Sequence, residues 1–276
     1  MGTSSGLQEY DTGEKCPNCG RPIIGAIIPF GNIPIKRECE CVTRQREAEK
    51  RKNVERGIGI VRQYMMQYMI KKSGLRKHWI NKTFESFEVR QGQEEAYQTA
   101  KNFAGAFGND SGCNTGLILC GATGCGKTHL AAAITNHIIQ RTVIPERDAE
   151  DAGIAGYYSG RLLCPVRFSS TVDLLAQLKA EYASENDNSG AIMAAYKKSP
   201  LTVLDDFGAE KQTEWAIERL FEIIDWRYSD ELPIVITTNA TPEELKSKLG
   251  ARIYDRLREM CKFCVVNAKS QRITAK

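Results

Sequence analysis

Apolar positions along the chain follow two patterns, and each predicts a different architecture. Beyond about residue 95, short apolar runs at 117–120, 166–169, 201–204, 233–237 and 263–266 alternate with helical periodicity at 127–140, 171–182, 214–228 and 242–249. The runs are nearly continuous rather than alternating with polar residues, so both faces of each strand are expected to be buried. Strands of that kind separated by helices predict a parallel five-stranded sheet between helical layers, an α/β domain. The earlier part of the chain reads differently. Residues 42–56 are almost wholly polar and suit a solvent-bridging helix. From there Val54, Ile58, Val61, Met65 and Tyr68 recur at spacings of 4, 3, 4 and 3, an amphipathic helical stripe that Ser73-Gly74 would end. Residues 81–87 (NKTFESF) read as an extended linker, and 142–165, without periodicity, as an inserted surface loop. Two domains are expected, 1–80 and 81–276.

Composition narrows the class. With 42% hydrophobic and 26% charged residues the chain is globular rather than disordered. It has no apolar run long enough to span a membrane, and Met1 to Tyr10 lacks the basic flank and apolar stretch of a secretory signal. A cytoplasmic protein without a membrane role is expected. The net charge of +4 is uneven: residues 1–80 hold 15 Lys+Arg against 8 Asp+Glu, and the remainder 23 against 26. The basic excess lies where a polyanion or an acidic protein face would be met, unless it is a solvated helix face.

Ten cysteines in a chain with no export signal are not expected to form disulfides. Four are bunched, Cys16 and Cys19 in CPNCG and Cys39 and Cys41 in CEC. Two closely spaced thiolate pairs suit a closed tetrahedral zinc site, and Gly20 permits the tight turn the first pair needs. Cys261 and Cys264, which lack a second pair nearby, are expected to be packing residues.

The segment Gly121-Ala122-Thr123-Gly124-Cys125-Gly126-Lys127-Thr128 fits the phosphate-loop spacing, after a predicted strand and at the start of a predicted helix. Its backbone N–H groups would cradle the phosphates of ATP, Lys127 would neutralise their charge, and the Thr128 hydroxyl would ligate Mg²⁺ beside His129. Asp205, at the tip of the 201–204 strand, is the candidate second Mg²⁺ ligand, and Asp206 is placed to polarise the attacking water. Asn239, at the end of another strand, could hydrogen-bond the γ-phosphate or that water.

In this order these residues resemble an AAA+ ATPase. The segments GATGCGKTHLA, LTVLDDFGAEKQTEWAIERLFEIIDWRY, LPIVITTN, GARIYDRLREM and SQR are similar to the DnaC/DnaI-type replicative helicase loaders and their IstB-like relatives. The cysteine module with a basic helix resembles the zinc-containing Gram-positive bacterial and phage versions. The resemblance implies that Asn239 is sensor 1, that Arg256, with Arg252 close by, is an arginine finger acting on a neighbouring subunit, and that Arg272 is sensor 2. It also implies self-association through the ATP site, a hexameric DnaB-type helicase as partner, and contact with single-stranded DNA. Asp206 stands where many AAA+ proteins carry Glu, which implies slow, switch-like hydrolysis. Gln271 replaces a frequent Tyr, and with four residues after Arg272 a full helical lid is not expected. Two other functions fit the same residues: an IstB-like ATPase assisting a transposase, and an ATP-binding adaptor with little turnover.

Overall fold

The computed structural model describes residues 8–28, 32–108, 114–142, 164–183 and 190–268. The chain divides into two compact units, 1–61 and 62–276.

The first unit holds a three-stranded antiparallel sheet in the order β1-β2-β3, formed by β1 (Gln8–Lys15), β2 (Pro22–Ile28) and β3 (Ile33–Lys36). The hydrophobic pattern did not predict these strands. QEYDTGEK is polar and exposed on nearly every position, and in this sheet Ala26 is fully buried with little else around it. Pairing of Tyr10 with Gly25 and of Ala26 with Ile35 is therefore set by hairpin hydrogen bonds rather than by a core face.

Helix α1 (Glu40–Ser73) follows, and its first half is exposed, as its polar sequence predicts. The stripe is corrected at its end. Met65, Met69 and Ser73 are the buried positions, whereas Tyr68 is 36% exposed, and at the start of the stripe Val54 is 45% exposed as well. A helix of 3.6 residues per turn returns to the same face by a step of four here, which places Met69 beneath Met65. A turn of 3₁₀ helix (Lys77–Trp79) comes next. Residues 81–87 are no passive linker: Phe84 and Phe87 are buried in the core of the second unit.

The second unit contains α2 (Glu94–Ala106), β4 (Gly116–Cys120), α3 (Lys127–Thr142), β5 (Val166–Ser170), α4 (Thr171–Ala183), α5 (Ala191–Lys198), β6 (Leu201–Asp205), α6 (Glu214–Ser229), β7 (Ile234–Thr238), α7 (Pro242–Leu249), α8 (Ala251–Met260) and β8 (Cys261–Val265). All five strands run parallel in the order β5-β6-β7-β4-β8. The two-residue repeat of a strand sorts side chains between two cores. Leu117, Leu119, Val203 and Val235 pack with α2 and α3, while Ile118, Leu204, Ile234 and Ile236 pack with the other helices. The central strands β4, β6 and β7 are buried throughout, as strands covered on both faces must be. Cys261 and Cys264 are buried packing residues on β8.

Helices α2, α5 and α8 add to the four predicted. The buried face of α2 consists of Ala96, Ala100, Phe103 and Ala104, mostly residues too small to give a strong periodic signal. In α8 just three residues, Ile253, Leu257 and Met260, are buried among charges. The expected loop at 142–165 lies almost wholly outside the described residues.

Candidate functional site

A parallel sheet directs the carboxyl ends of its strands to one edge, so the residues that follow β4, β6 and β7 meet there. The loop after β4 is Gly121 to Gly126, and α3 begins at Lys127. Gly124 and Gly126 adopt φ of +82° and +99°, and a Cβ on Gly126 would lie 2.9 Å from the Phe87 ring. These are positions where the backbone conformation and its neighbours require glycine. Lys127 is buried, and its ammonium donates to the carbonyls of Gly121 (2.9 Å) and Ala122 (2.8 Å) and to Asn239 Oδ1 (2.8 Å). The phosphate-loop lysine and the strand-end amide are thus brought into direct contact.

At the tip of β6, Asp205 is buried and Asp206 is exposed. Burial pushes the Asp205 carboxyl above its ordinary range, although the hydroxyls of Thr237 and Thr128 act in the opposite direction. Thr237 is the organising residue here, and the sequence reading did not single it out. Its hydroxyl donates to Asp205 Oδ1 at 2.5 Å and accepts from the Asp206 N–H at 3.0 Å. That second bond helps hold Asp206 at φ +53°, a left-handed conformation that costs most residues energy and that aspartate tolerates. The available signal was the pair of hydroxyl residues, Thr237 and Thr238, that ends the apolar strand IVITT.

A cavity of about 330 Å³ opens over this constellation, lined by Thr123, Gly124, Gly126, Lys127, Thr128, His129, Asp206 and Asn239. Its remaining wall includes His78, Trp79 and Lys82, three residues that motif spacing could not reveal. They are held there by α3 itself, through Asn136 Nδ2, which donates to the carbonyls of Trp79 (3.0 Å) and Lys82 (2.8 Å). His129 Nε2 lies 3.1 Å from the Thr83 carbonyl, and burial lowers the imidazole's pKa, favouring the neutral ring. Gly121, Ala122 and Cys125 form the rest of the loop, Cys125 being buried beneath it.

Arg256 is not among the residues lining this cavity. It projects from α8 onto α6, where it pairs with Asp225 at 2.5 Å and lies 4.9 Å from the Phe221 ring centre. Arg272 lies outside the described residues.

In the first unit the four cysteines come together. Their Sγ atoms all lie within 4.8 Å of one another, with Cys16 and Cys41 3.4 Å apart and Cys19 and Cys39 3.5 Å apart. Zn–S bonds of about 2.3 Å in a tetrahedron place sulfurs roughly 3.8 Å apart, so four thiolates here fit such an ion. The β1–β2 turn supplies the first pair, closed by a Gly20 N–H bond to the Cys16 carbonyl (2.8 Å) with Gly20 at φ +72°. The start of α1 supplies the second. The backbone N–H groups of Cys19 and Asn18 hold the Cys16 thiol below its ordinary pKa, while hydrogen bonding with Cys19 and burial raise that of Cys41, so without a metal the cluster favours a thiolate at Cys16 and a thiol at Cys41.

A phosphate loop on the first strand–helix step of a parallel sheet, an amide at the tip of the adjacent strand β7 and an acid at the tip of β6, one strand further on, give the architecture of an AAA+ ATP-binding domain. Comparison with known proteins agrees. The family described as IstB-like ATP binding protein matches residues 153–276. The replicative helicase loader DnaC of Escherichia coli (strain K12) is 26% identical over 194 residues, covering 70% of this chain and 69% of that protein. The crystal structure of the DnaC helicase loader is similar at 27% identity and a TM-score of 0.54, covering 70% of this chain and 100% of that one. The crystal structure of DnaI shares the fold at 22% identity and a TM-score of 0.55, covering 72% and 94%. Residues 153–276 thus resemble the IstB-like family, and the second unit is similar in sequence and fold to DnaC. No helix among the described residues is long and apolar enough to cross a membrane.

Proposed function

We propose that this chain is an ATP-dependent replication factor of the cytoplasm. It binds a hexameric replicative helicase and loads it onto single-stranded DNA, with ATP binding and hydrolysis as the assembly and release switch. The observation that carries this reading is the convergence of Lys127, Asp205, Asp206 and Asn239 at one strand edge, in a domain similar to DnaC. In this reading the loop amides and Lys127 bind the ATP phosphates, and Thr128 and Asp205 would hold Mg²⁺, which spreads the developing negative charge. Asp206 orients the attacking water, and Asn239 holds the γ-phosphate or that water. Arg256 completes the site of a neighbouring subunit, which makes turnover depend on assembly. Arg272 contacts the γ-phosphate in its own subunit.

The test is light scattering after size exclusion, with the full chain and the replicative helicase of its host, in Mg-ATP, in ADP, and with Lys127→Ala. A stable complex is expected, with nucleotide dependence that Lys127→Ala removes. No complex in any nucleotide state overturns the reading. The match of residues 153–276 to the IstB-like family favours a second reading, an ATPase that assists a transposase. ATP turnover stimulated by a transposase and not by a helicase would establish that alternative.

The four cysteines would hold one zinc ion and supply most of the folding free energy of the small sheet, which has little core of its own. Elemental analysis of the purified protein is expected to find about one zinc per chain. Cys16→Ser together with Cys19→Ser is expected to release the metal and abolish helicase binding while leaving ATP binding unchanged. Protein purified without added chelator that carries no metal would contradict this assignment.

A further inference from the structure

Gln93 lies at the mouth of α2, outside the lining of the nucleotide cavity, and is completely buried. A fully buried amide must satisfy its donors and its acceptor inside the protein, so its two partners deserve a reason. Its Oε1 accepts from the Arg90 N–H at 2.8 Å, and its Nε2 donates to the carbonyl of Cys125 at 2.7 Å. One partner is a donor and the other an acceptor, which leaves a single orientation of the amide.

Cys125 is the residue before Gly126 in the phosphate loop. In a planar trans peptide unit the C=O and the following N–H point in opposite directions. Anchoring the Cys125 carbonyl to Gln93, behind the loop, therefore turns the Gly126 N–H toward the cavity that Gly126 lines. A peptide preceding glycine can rotate into the opposite orientation at little steric cost, and that orientation would present a carbonyl to an anion. The loop's own hydrogen bonds do not hold this carbonyl: Cys125 N–H contacts the Ala122 carbonyl at 3.4 Å, and the Gly126 carbonyl accepts from Leu130 N–H at 3.0 Å. The segment that carries Gln93 is itself tied to the sheet, since the Asn267 N–H donates to the Gly92 carbonyl at 3.2 Å. A Cβ on Gly92 would lie 2.0 Å from the Asn267 carbonyl oxygen, so the approach is too close for any side chain.

We propose that Gln93 is a positioning residue for phosphate binding: its side-chain amide locks the Cys125–Gly126 peptide with the N–H facing the phosphates. The inference rests on the reading of residues 121–128 as a nucleotide loop. It adds a part of the site that lies 28 residues upstream of that loop and never touches the ligand.

Two near-isosteric variants test it. Gln93→Glu keeps the acceptor for Arg90 and faces Cys125 with an oxygen, and Gln93→Met removes both bonds. Tyr97→Phe is the control, because it deletes a hydrogen bond to the Phe84 carbonyl in the same layer without touching the loop. Affinity for Mg-ATP and Mg-ADP, read from a fluorescent N-methylanthraniloyl analogue, is expected to fall about 10- to 100-fold in both Gln93 variants. KM should rise in parallel while kcat at saturating ATP stays within about threefold, a split that a general loss of folded protein would not produce. Tyr97→Phe should bind as the unmodified protein does. Binding by Gln93→Met within about twofold of the unmodified protein overturns the proposal, as does a fall in kcat with unchanged KM. Failure of the unmodified protein to bind nucleotide would instead overturn the functional reading. If neither variant folds, hydrogen exchange of the Gln93 side-chain amide in the unmodified protein decides the matter. Protection that deepens with Mg-ATP is expected, and exchange as fast as a free amide overturns the lock.

Discussion

Asp205→Asn is expected to reduce ATP turnover by about 100-fold or more while leaving the nucleotide-free protein as stable as the original, or more so. The first part follows from chemistry: an amide cannot neutralise Mg²⁺ or the charge that develops during phosphoryl transfer. The second follows from burial, which raises the Asp205 carboxyl above its unfolded value. A carboxyl whose folded pKa is raised contributes its full stability below the unfolded value, and that contribution is lost as pH rises through the folded one. At neutral pH the unliganded protein therefore bears the cost of a buried negative charge, and the asparagine variant does not. The Asn Oδ1 still accepts from the Thr237 hydroxyl, so β7 remains joined to β6 at this point. Steady-state hydrolysis and thermal unfolding from pH 8 down to pH 4 check both halves. The stability advantage should shrink toward the acid end, where Asp205 itself becomes neutral. A variant markedly less stable at neutral pH than the original would mean that the carboxylate is needed for folding rather than for the metal.

Arg227→Met is the substitution expected to cost most in stability, about 3–5 kcal/mol. The side chain is completely buried, and no carboxylate pairs with it among the described residues. Its guanidinium instead donates to the carbonyls of Tyr196 (3.0 Å), Lys197 (3.2 Å), Ser199 (2.8 Å) and Pro200 (3.3 Å), and to that of Pro233. Two of these carbonyls belong to the last turn of α5, where the helix leaves its acceptors unfilled. The others lie on the connections that lead into β6 and β7. Methionine fills similar volume and removes the guanidinium donor from every one of these carbonyls in a dry interior, leaving Tyr196 with the Thr202 hydroxyl alone. Thermal unfolding without nucleotide should show a fall of roughly 10 °C. Arg227→Lys should recover little, since one ammonium cannot span both connections as the planar fork does. A shift of about 2 °C or less would show that water takes the place of the guanidinium.

How far the fold could be read from the sequence depended on what each segment buries. The five sheet strands were legible because continuous apolar runs such as LILC and IVIT have no other stable placement. That residues 121–128, Asp205 and Asn239 meet at one edge was legible because each follows a predicted parallel strand, and such strands direct their carboxyl ends the same way. The small sheet was not, since polar strands pinned by four cysteines carry no hydrophobic signature. Nor was the burial of Phe84, Phe87 and Gln93, since the segment before α2 carries no periodic signal that it packs beneath the loop. Arg227 falls within a helix whose charged neighbours suggest solvent, and the sequence holds no sign that this one charge turns inward.

The strand order has a consequence for how the protein comes to be folded. The contact between Lys127 and Asn239 joins positions 112 residues apart. A nascent chain that has reached the end of α3 already contains every residue of the phosphate loop, yet β6 and β7, which stand on one side of β4, do not exist at that moment. Parallel strands joined through such long separations assemble slowly, because the entropy of closing each loop is spent before its contacts return anything. If, as proposed, nucleotide binds the assembled edge and not the open chain, concentrations well above its Kd would draw the folding equilibrium toward the finished sheet by mass action. In the proposed reading, the site becomes available to nucleotide once the chain has docked its strands as far as Asn239.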